Sequence, residues 1–287
     1  MEILVISAVV LFATGQSLFC RMYTSAQNGR GAVQFSVLYA FLAGVCTLAI
    51  GGFRYAPSGT TLLLGALNAV MLLTYNIAMV HAGNLGSFAF LMIGVLSGGI
   101  LVPMAYDLIF LGTRLNAWQI AAVAMMLVSF VMMNRDGLSG KKSGAYLAWV
   151  GVLFLVNGLY GTLMGLQQNA MEFTQRSEMI VTTYLGTAVI GTLFSLVRER
   201  GEFFRGFRMS GRAAAFLGAS ALCCTGSVNL LLYAMKLVRL TVLNVTVNGG
   251  VLVISAGLAY FVFREKMTAW KIAGIGLAAV SVILLSI

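Results

Sequence analysis

One stretch of this chain occurs twice. Arg114 to Met133 reads RLNAWQIAAVAMMLVSFVMM, and Lys266 to Leu285 reads KMTAWKIAGIGLAAVSVILL. Aligned without a gap, six of the twenty positions are identical: Ala117/Ala269, Trp118/Trp270, Ile120/Ile272, Ala121/Ala273, Val128/Val280 and Ser129/Ser281. Most other pairs are apolar for apolar, and a base, Arg114 or Lys266, precedes the shared core in both copies. Weaker matches extend the repeat: Gly98-Gly99 with Gly249-Gly250, Ala78-Met79 with Ala234-Met235, Thr14-Gly15 with Asn157-Gly158, and Tyr39 with Tyr184. Together they predict two units, residues 1–138 and 139–287.

The units are apolar throughout. The chain is 60% hydrophobic and 9% charged, where a soluble protein carries roughly 25% charged residues. Ten runs reach the roughly 17–25 residues that a bilayer core requires: 3–21, 33–53, 60–80, 86–111, 117–134, 144–167, 179–197, 213–235, 240–263 and 268–287. The links between them are too short for a soluble domain. The expected fold is an all-α integral membrane protein of ten transmembrane helices. Five crossings per unit is an odd number, so the second unit starts on the opposite face of the membrane. The units are then antiparallel inverted repeats, with the interior site between them near the midplane.

Charge reports topology. The net charge of +10 lies mostly in the short loops; no basic and aromatic run makes a nucleic-acid face. With the N-terminus inside, the inner loops hold five Lys and Arg and the outer loops thirteen, Arg21 among them. The positive-inside rule therefore favours both termini outside. The N-terminal MEILVISAVVLF lacks a basic start and a cleavage site, and reads as a retained helix. Cys20, Cys46, Cys223 and Cys224 have no metal-ligand spacing and read as buried small residues.

Several side chains stand out against this background. Asp107 is the one carboxylate well inside a span, and such residues usually face the interior and serve transport. Two readings are open for it: proton coupling or contact with a cationic substrate, or simple hydration about a turn from the interface. His81, the single histidine, is a proton-coupling candidate or an interfacial residue without a role. Buried amides and phenols need partners and so face inward. Gln16, Tyr75, Asn76, Asn157, Tyr160, Asn229 and Asn248 are therefore candidates for a substrate pathway or for helix-to-helix bonding. Tyr39 and Tyr184, at matching places in the two halves, join the pathway set. Trp118 and Trp270 read as interface anchors. The pairs Gly94/Gly98 and Gly161/Gly165 have packing spacing.

Two further motifs recur once per half. The turns before the duplicated stretch read VFREKMTAW, with Glu265, and FLGTRLNAW, with Thr113 at that place. The third helices end IAMVHAG (Ile77–Gly83) and YAMKLVR (Tyr233–Arg239). In these features, over nearly its whole length, the chain resembles the drug/metabolite transporter superfamily, in its ten-helix EamA-like branch. It departs at Thr113, and at Pro103, which lies later in the fourth helix than the family's proline, with Ser255 near the equivalent place in the second half. The family also keeps both termini in the cytoplasm, against the charge count. The resemblance implies a secondary transporter without ATP hydrolysis. Members move amino acids, quaternary ammonium compounds, nucleotide precursors and drugs.

The expected function is secondary active transport, as exporter or exchanger, of a small organic metabolite such as an amino acid or amine. Alternating access would work around a midplane site, with proton coupling open. Low charge in the spans points to a neutral, zwitterionic or singly cationic substrate. The expectation includes no cofactor, no nucleic acid, a multi-pass place in a cell membrane of bacterial type, and a monomer or homodimer. The rivals are an integral membrane enzyme acting on a lipid, a flippase for a lipid-linked metabolite, and a channel or sensor. An enzyme needs a nucleophile with its base or a cluster of metal ligands, and no such cluster is visible.

Overall fold

A computed structural model of the chain describes residues 2–28, 31–110, 116–138, 144–172, 174–199, 209–237, 240–264 and 266–284. These residues fold into helices α1 (Glu2–Ala26), α2 (Ala32–Ile50), α3 (Gly59–Leu85), α4 (Phe88–Phe110), α5 (Ala117–Leu138), α6 (Gly144–Ala170), α7 (Arg176–Glu199), α8 (Gly211–Leu237), α9 (Leu240–Phe261) and α10 (Ala269–Leu284). No strand occurs among the described residues. Seven of the helices are long and apolar enough to cross a membrane, and α5, α9 and α10 carry shorter apolar stretches. Thr113, Arg114, Glu265 and the basic segment 200–208 lie outside the described residues.

The distribution of side chains is that of a bundle solvated by lipid. Large apolar residues such as Leu11, Phe41, Leu63, Leu193 and Val197 are exposed on its surface. Thr14, Ser36, Thr47, Asn68, Thr187 and Ser220 are buried inside. In hydrocarbon an unpaired polar group is costly, so the small hydroxyls turn inward and bond to backbone carbonyls. Thr14 to Val10, Thr187 to Ala69 and Thr192 to Ala188 are examples.

Helix packing follows a definite scheme. α1 packs on α8 and α9, α2 on α7 and α8, α3 on α6 and α7, α4 on α6 and α9, and α5 on α10. Small residues set the closest approaches. A methyl group at Gly44 of α2 would meet Leu185 of α7 at 2.8 Å, and one at Gly250 of α9 would meet Val10 of α1 at 2.9 Å. A methyl at Gly98 of α4 would run into the backbone of Phe154 in α6. Gly161 and Gly165 behave differently: a methyl at the first would touch only Pro103, at 3.8 Å, and the second faces open space. That pair does not carry a tight helix contact.

Both copies of the duplicated stretch are helical. They form α5 and α10, which pack on each other. The paired serines are both fully buried: Ser129 Oγ donates to the Gly274 carbonyl across the seam at 2.7 Å, and Ser281 Oγ to the Ala278 carbonyl at 2.7 Å. Trp118 and Trp270, at the two helix starts, are 60% and 44% exposed, as anchors at a membrane interface would be.

One boundary differs from the sequence reading. The first span was expected to end at residue 21, with Arg21 in a loop, but α1 continues to Ala26. Arg21 therefore lies inside the helix, and the interior holds its charge in place. Its Nη1 donates to the Gly86 carbonyl at 2.9 Å, and its guanidinium carbon lies 4.9 Å from the Phe263 ring centre and 5.6 Å from that of Phe88. One side chain thus ties α1 to the α3–α4 turn and to the segment after α9. Arg21→Met is expected to lower stability by about 2 kcal/mol, the scale of a desolvated cation–π contact. Arg21→Lys recovers only part of this, because an ammonium cannot stack as a plane. Thermal unfolding in detergent measures both; an unchanged melting temperature for Arg21→Met would refute the clamp.

Candidate functional site

A narrow cleft of about 10 Å³, room for about one water molecule, lies between α1, α2, α3 and α8. It is smaller than the roughly 300–1,000 Å³ of most ligand pockets. α1 contributes Gln16, Ser17 and Cys20; α2 contributes Phe35 and Tyr39; α3 contributes Tyr75, Asn76 and Met79; α8 contributes Ser220. On each helix these residues are one or four apart, or three apart, so each set forms one stripe. The stripes converge because α3 and α8 each pack against both α1 and α2.

Neutral hydrogen bonds hold the lining. Gln16 Nε2 donates to the Tyr39 hydroxyl at 2.5 Å, and Asn76 Nδ2 to Ser36 Oγ at 3.1 Å. Ser220 Oγ donates to the Gln16 carbonyl at 3.0 Å and so joins α8 to α1. The rings form a chain: Tyr23 and Phe35 lie 4.7 Å apart, Phe35 stacks on Tyr39 at 5.4 Å, and Tyr39 meets Tyr184 edge-on at 6.4 Å. Behind Tyr39, the Tyr184 hydroxyl and the Cys224 thiol are 2.8 Å apart, and the hydroxyl of Tyr160 faces that of Tyr184. Among the described residues, no acidic or basic side chain lines the cleft.

The candidates divide into groups. Gln16, Tyr39, Tyr75 and Asn76 line the cleft; Tyr184 packs on Tyr39 behind it, with Tyr160 next to Tyr184. Asn157 and Asn229 join helices instead. Asn157 Nδ2 donates to the Val95 carbonyl of α4 at 2.8 Å, and Asn229 Nδ2 to its own Thr225 carbonyl at 2.9 Å and to Thr47 of α2 at 3.5 Å. Asn248 is partly buried on α9. His81 stacks on Trp149 of α6 with ring centres 5.0 Å apart. Asp107 lies in the last turn of α4, and its side chain falls outside the described residues. At 1.5 Å per residue its backbone is roughly 28 Å along the helix from Phe88. Phe88 packs beside Arg21, one turn beyond the cleft, so Asp107 is at the far end of the bundle.

Phe35, Cys20, Met79 and Ser220 were not singled out as site residues from sequence. Helical spacing held a signal for three of them. Cys20 is four residues from Gln16, Phe35 four from Tyr39 and Met79 four from Tyr75, so each shares its neighbour's face.

A second polar cluster closes the end of the bundle opposite Arg21. Gln175 Oε1 accepts from the Ser58 backbone N–H and from Thr61 Oγ1, both at 2.8 Å. Gln167 Nε2 donates to Thr61 Oγ1 and to the Gln175 carbonyl, both at 3.1 Å. Tyr55 and Thr182 pair their hydroxyls at 2.9 Å. The start of α3 is thereby latched to the α6–α7 connection by neutral bonds alone. Such bonds exchange for water at a net cost of about 1 kcal/mol each.

The fold and its cleft define the class: a multi-pass, all-helical membrane protein with an uncharged aromatic and amide site inside the bundle. Comparison supports the fold. A crystal structure of a protein 13% identical in sequence matches over 97% of this chain and 98% of that one, with a TM-score of 0.63. At that identity the likeness is one of fold alone. No family model and no curated protein matches the chain.

Proposed function

We propose that this protein is a secondary transporter of the drug/metabolite type, built from two inverted five-helix repeats, residues 1–138 and 139–287. It carries a small organic solute by alternating access, as exporter or exchanger. The observation that carries the reading is the cleft, whose walls come from both halves: α1, α2 and α3 on one side and α8 on the other.

The packing scheme supports the repeat. Exchanging each helix with the one five places away turns the α1–α8 seam into α3–α6. It likewise turns α1–α9 into α4–α6, α2–α8 into α3–α7, and α4–α5 into α9–α10, and all of these seams occur. The seams α2–α7, α4–α9 and α5–α10 map onto themselves. A pseudo-twofold axis in the membrane plane accounts for these seams, while α1–α3 and α2–α3 have no counterpart of like size; such an axis would pass beside Tyr39 and Tyr184 on the self-paired α2–α7 seam. Rocking one half against the other exposes the cleft first to one side and then to the other. The latch at Ser58, Thr61, Gln167 and Gln175 joins the halves at one face and breaks in that motion.

The lining sets the substrate. Amide oxygens, phenols and ring faces bind hydrogen-bond donors and weak cations, while a polyanion would find no base there. The solute is therefore small, and neutral, zwitterionic or singly cationic. Asp107 is too distant to touch it and serves, in this reading, as the proton-coupling group. The test is a melting-temperature screen of purified protein with amino acids, quaternary amines, nucleosides and sugars, since a ligand of the native state raises stability by mass action. The expected result is a stabilising compound whose effect is lost in Gln16→Ala and kept in Asp107→Asn. An effect lost in Asp107→Asn and kept in Gln16→Ala moves the site away from this cleft.

A further inference from the structure

Asn68 is an anomaly in this bundle. It lies in the middle of α3, is 0% exposed, and neither its Oδ1 nor its Nδ2 has a hydrogen-bond partner. Thr183 of α7 is likewise 0% exposed, with its hydroxyl unpaired. Both lie where α3 and α7 meet. A methyl at Gly65, three residues before Asn68, would touch Thr182 at 2.7 Å, and Thr187 Oγ1 donates to the carbonyl of Ala69, the residue after it. A leucine has the same branched four-atom side chain as asparagine and carries no such cost in an apolar interior. The amide at this place calls for a polar partner.

Helix caps locate this site relative to the cleft. α3 and α8 are both 27 residues long, and both are capped by a serine, Ser58 and Ser210. Each serine accepts a bond from the backbone N–H three residues on, at 3.2 Å. Ten residues beyond Ser58 is Asn68; ten residues beyond Ser210 is Ser220. Ser220 lines the cleft and bonds the Gln16 carbonyl of α1. Under the exchange of halves α3 corresponds to α8, so Asn68 holds on α3 the position that the cleft residue Ser220 holds on α8.

We propose that Asn68, with Thr183, forms a second polar subsite of the transport path on the α3–α7 seam. The proposal rests on the transporter reading and names where the path continues in the other half. The amide sets the chemical class of the occupant. A cation would answer only the oxygen, and an anion only the nitrogen. A neutral group that both donates and accepts answers both: a water molecule, or the hydroxyl or carboxamide of the solute. The residues that bracket the site, Gly65, Ala69, Thr182, Gly186 and Thr187, carry no charge.

Thiol labelling tests this in the full chain. Asn68→Cys is placed in a background with Cys20, Cys46, Cys223 and Cys224 replaced by serine or alanine, and treated with a small water-soluble methanethiosulfonate. Ser17→Cys serves as the cleft control and Leu63→Cys, on the lipid face, as the unreactive control. The introduced thiol at position 68 is expected to react within about tenfold of the rate at position 17. Protection by a compound that raised the melting temperature assigns the occupant as solute, and reaction without protection assigns it as water. Reaction no faster than at position 63 overturns the subsite. A second measurement needs no cysteine background: Asn68→Ser against Asn68→Ala in the native chain, two variants of similar size that differ by one hydroxyl. A melting temperature of Asn68→Ala at or above that of Asn68→Ser means that nothing answers a polar group there and overturns the proposal, whereas a higher one for Asn68→Ser upholds it. Neither readout requires transport, so the subsite and the transporter reading fail separately.

Discussion

Gly98→Ala is expected to separate α4 from α6. The added methyl would occupy the space of the Phe154 carbonyl and its Cα. A flexible side chain at that point would swing aside, but a helix backbone cannot. Across the same seam, a methyl at Gly158 would run into Val102 and lie 2.5 Å from the Gly98 carbonyl. The two glycines thus let the helices touch along their backbones, as small residues do in membrane bundles. Overpacking a core usually costs about 1–3 kcal/mol. With backbone on the opposing side the loss is expected at about 3 kcal/mol or more, seen as a large fall in melting temperature and in monodisperse yield. Gly218→Ala on α8 is the control, because a methyl there meets nothing within 4 Å; its expected effect is neutral to slightly stabilising. Equal melting of Gly98→Ala and wild type would show that the α4–α6 seam is looser than described.

Tyr39 carries the second large effect, and a pair of substitutions separates its two roles. Tyr39→Ala removes a ring packed on Phe35 and Tyr184 and leaves a void beside the cleft. Truncation of a buried aromatic side chain costs about 3–5 kcal/mol, so this variant is expected to fold poorly. Tyr39→Phe keeps the ring and removes the hydroxyl that accepts from Gln16 and also bonds the Cys224 thiol. Its folding loss is about 1 kcal/mol, while Gln16 is freed to turn away from the ligand. Affinity for a stabilising compound is then expected to fall about tenfold, which corresponds to about 1.4 kcal/mol. A Tyr39→Phe protein that binds like wild type would mean that the Gln16–Tyr39 pair supports the helices and takes no part in recognition.

The helices were legible because lipid demands a run of apolar residues long enough to cross it, and few other structures use such runs. The duplication was legible for a different reason. Ser129 and Ser281 are buried on one shared seam, and Trp118 and Trp270 sit at equivalent starts, so the same physics acted on both copies. Arg21 was misplaced because a base at the end of an apolar run usually marks water. The phenyl faces of Phe88 and Phe263 that shelter it lie more than sixty and two hundred residues away.

The site was legible in part. The rule that buried amides and phenols face inward found Gln16, Tyr39, Tyr75 and Asn76. It found Asn157 and Asn229 equally, since an amide that binds a ligand and one that holds a neighbouring helix have the same chemistry. Only the identity of the facing helix separates them: Asn157 meets the Val95 carbonyl, whereas Gln16 borders open space. Ser220 was invisible for the same reason, because nothing local to α8 announces that α1 lies against it. Asn68 passed unremarked among apolar neighbours, and its significance rests on what it fails to touch.

The stack of His81 on Trp149 has a practical consequence. Imidazole against indole opens a route for non-radiative decay, so emission from this tryptophan is dimmed while the two rings stay in contact. The rings belong to α3 and α6. Of the three tryptophans, the other two sit on the exposed starts of α5 and α10. The protein therefore contains its own optical gauge of the separation between α3 and α6, readable in unlabelled material as a change in brightness.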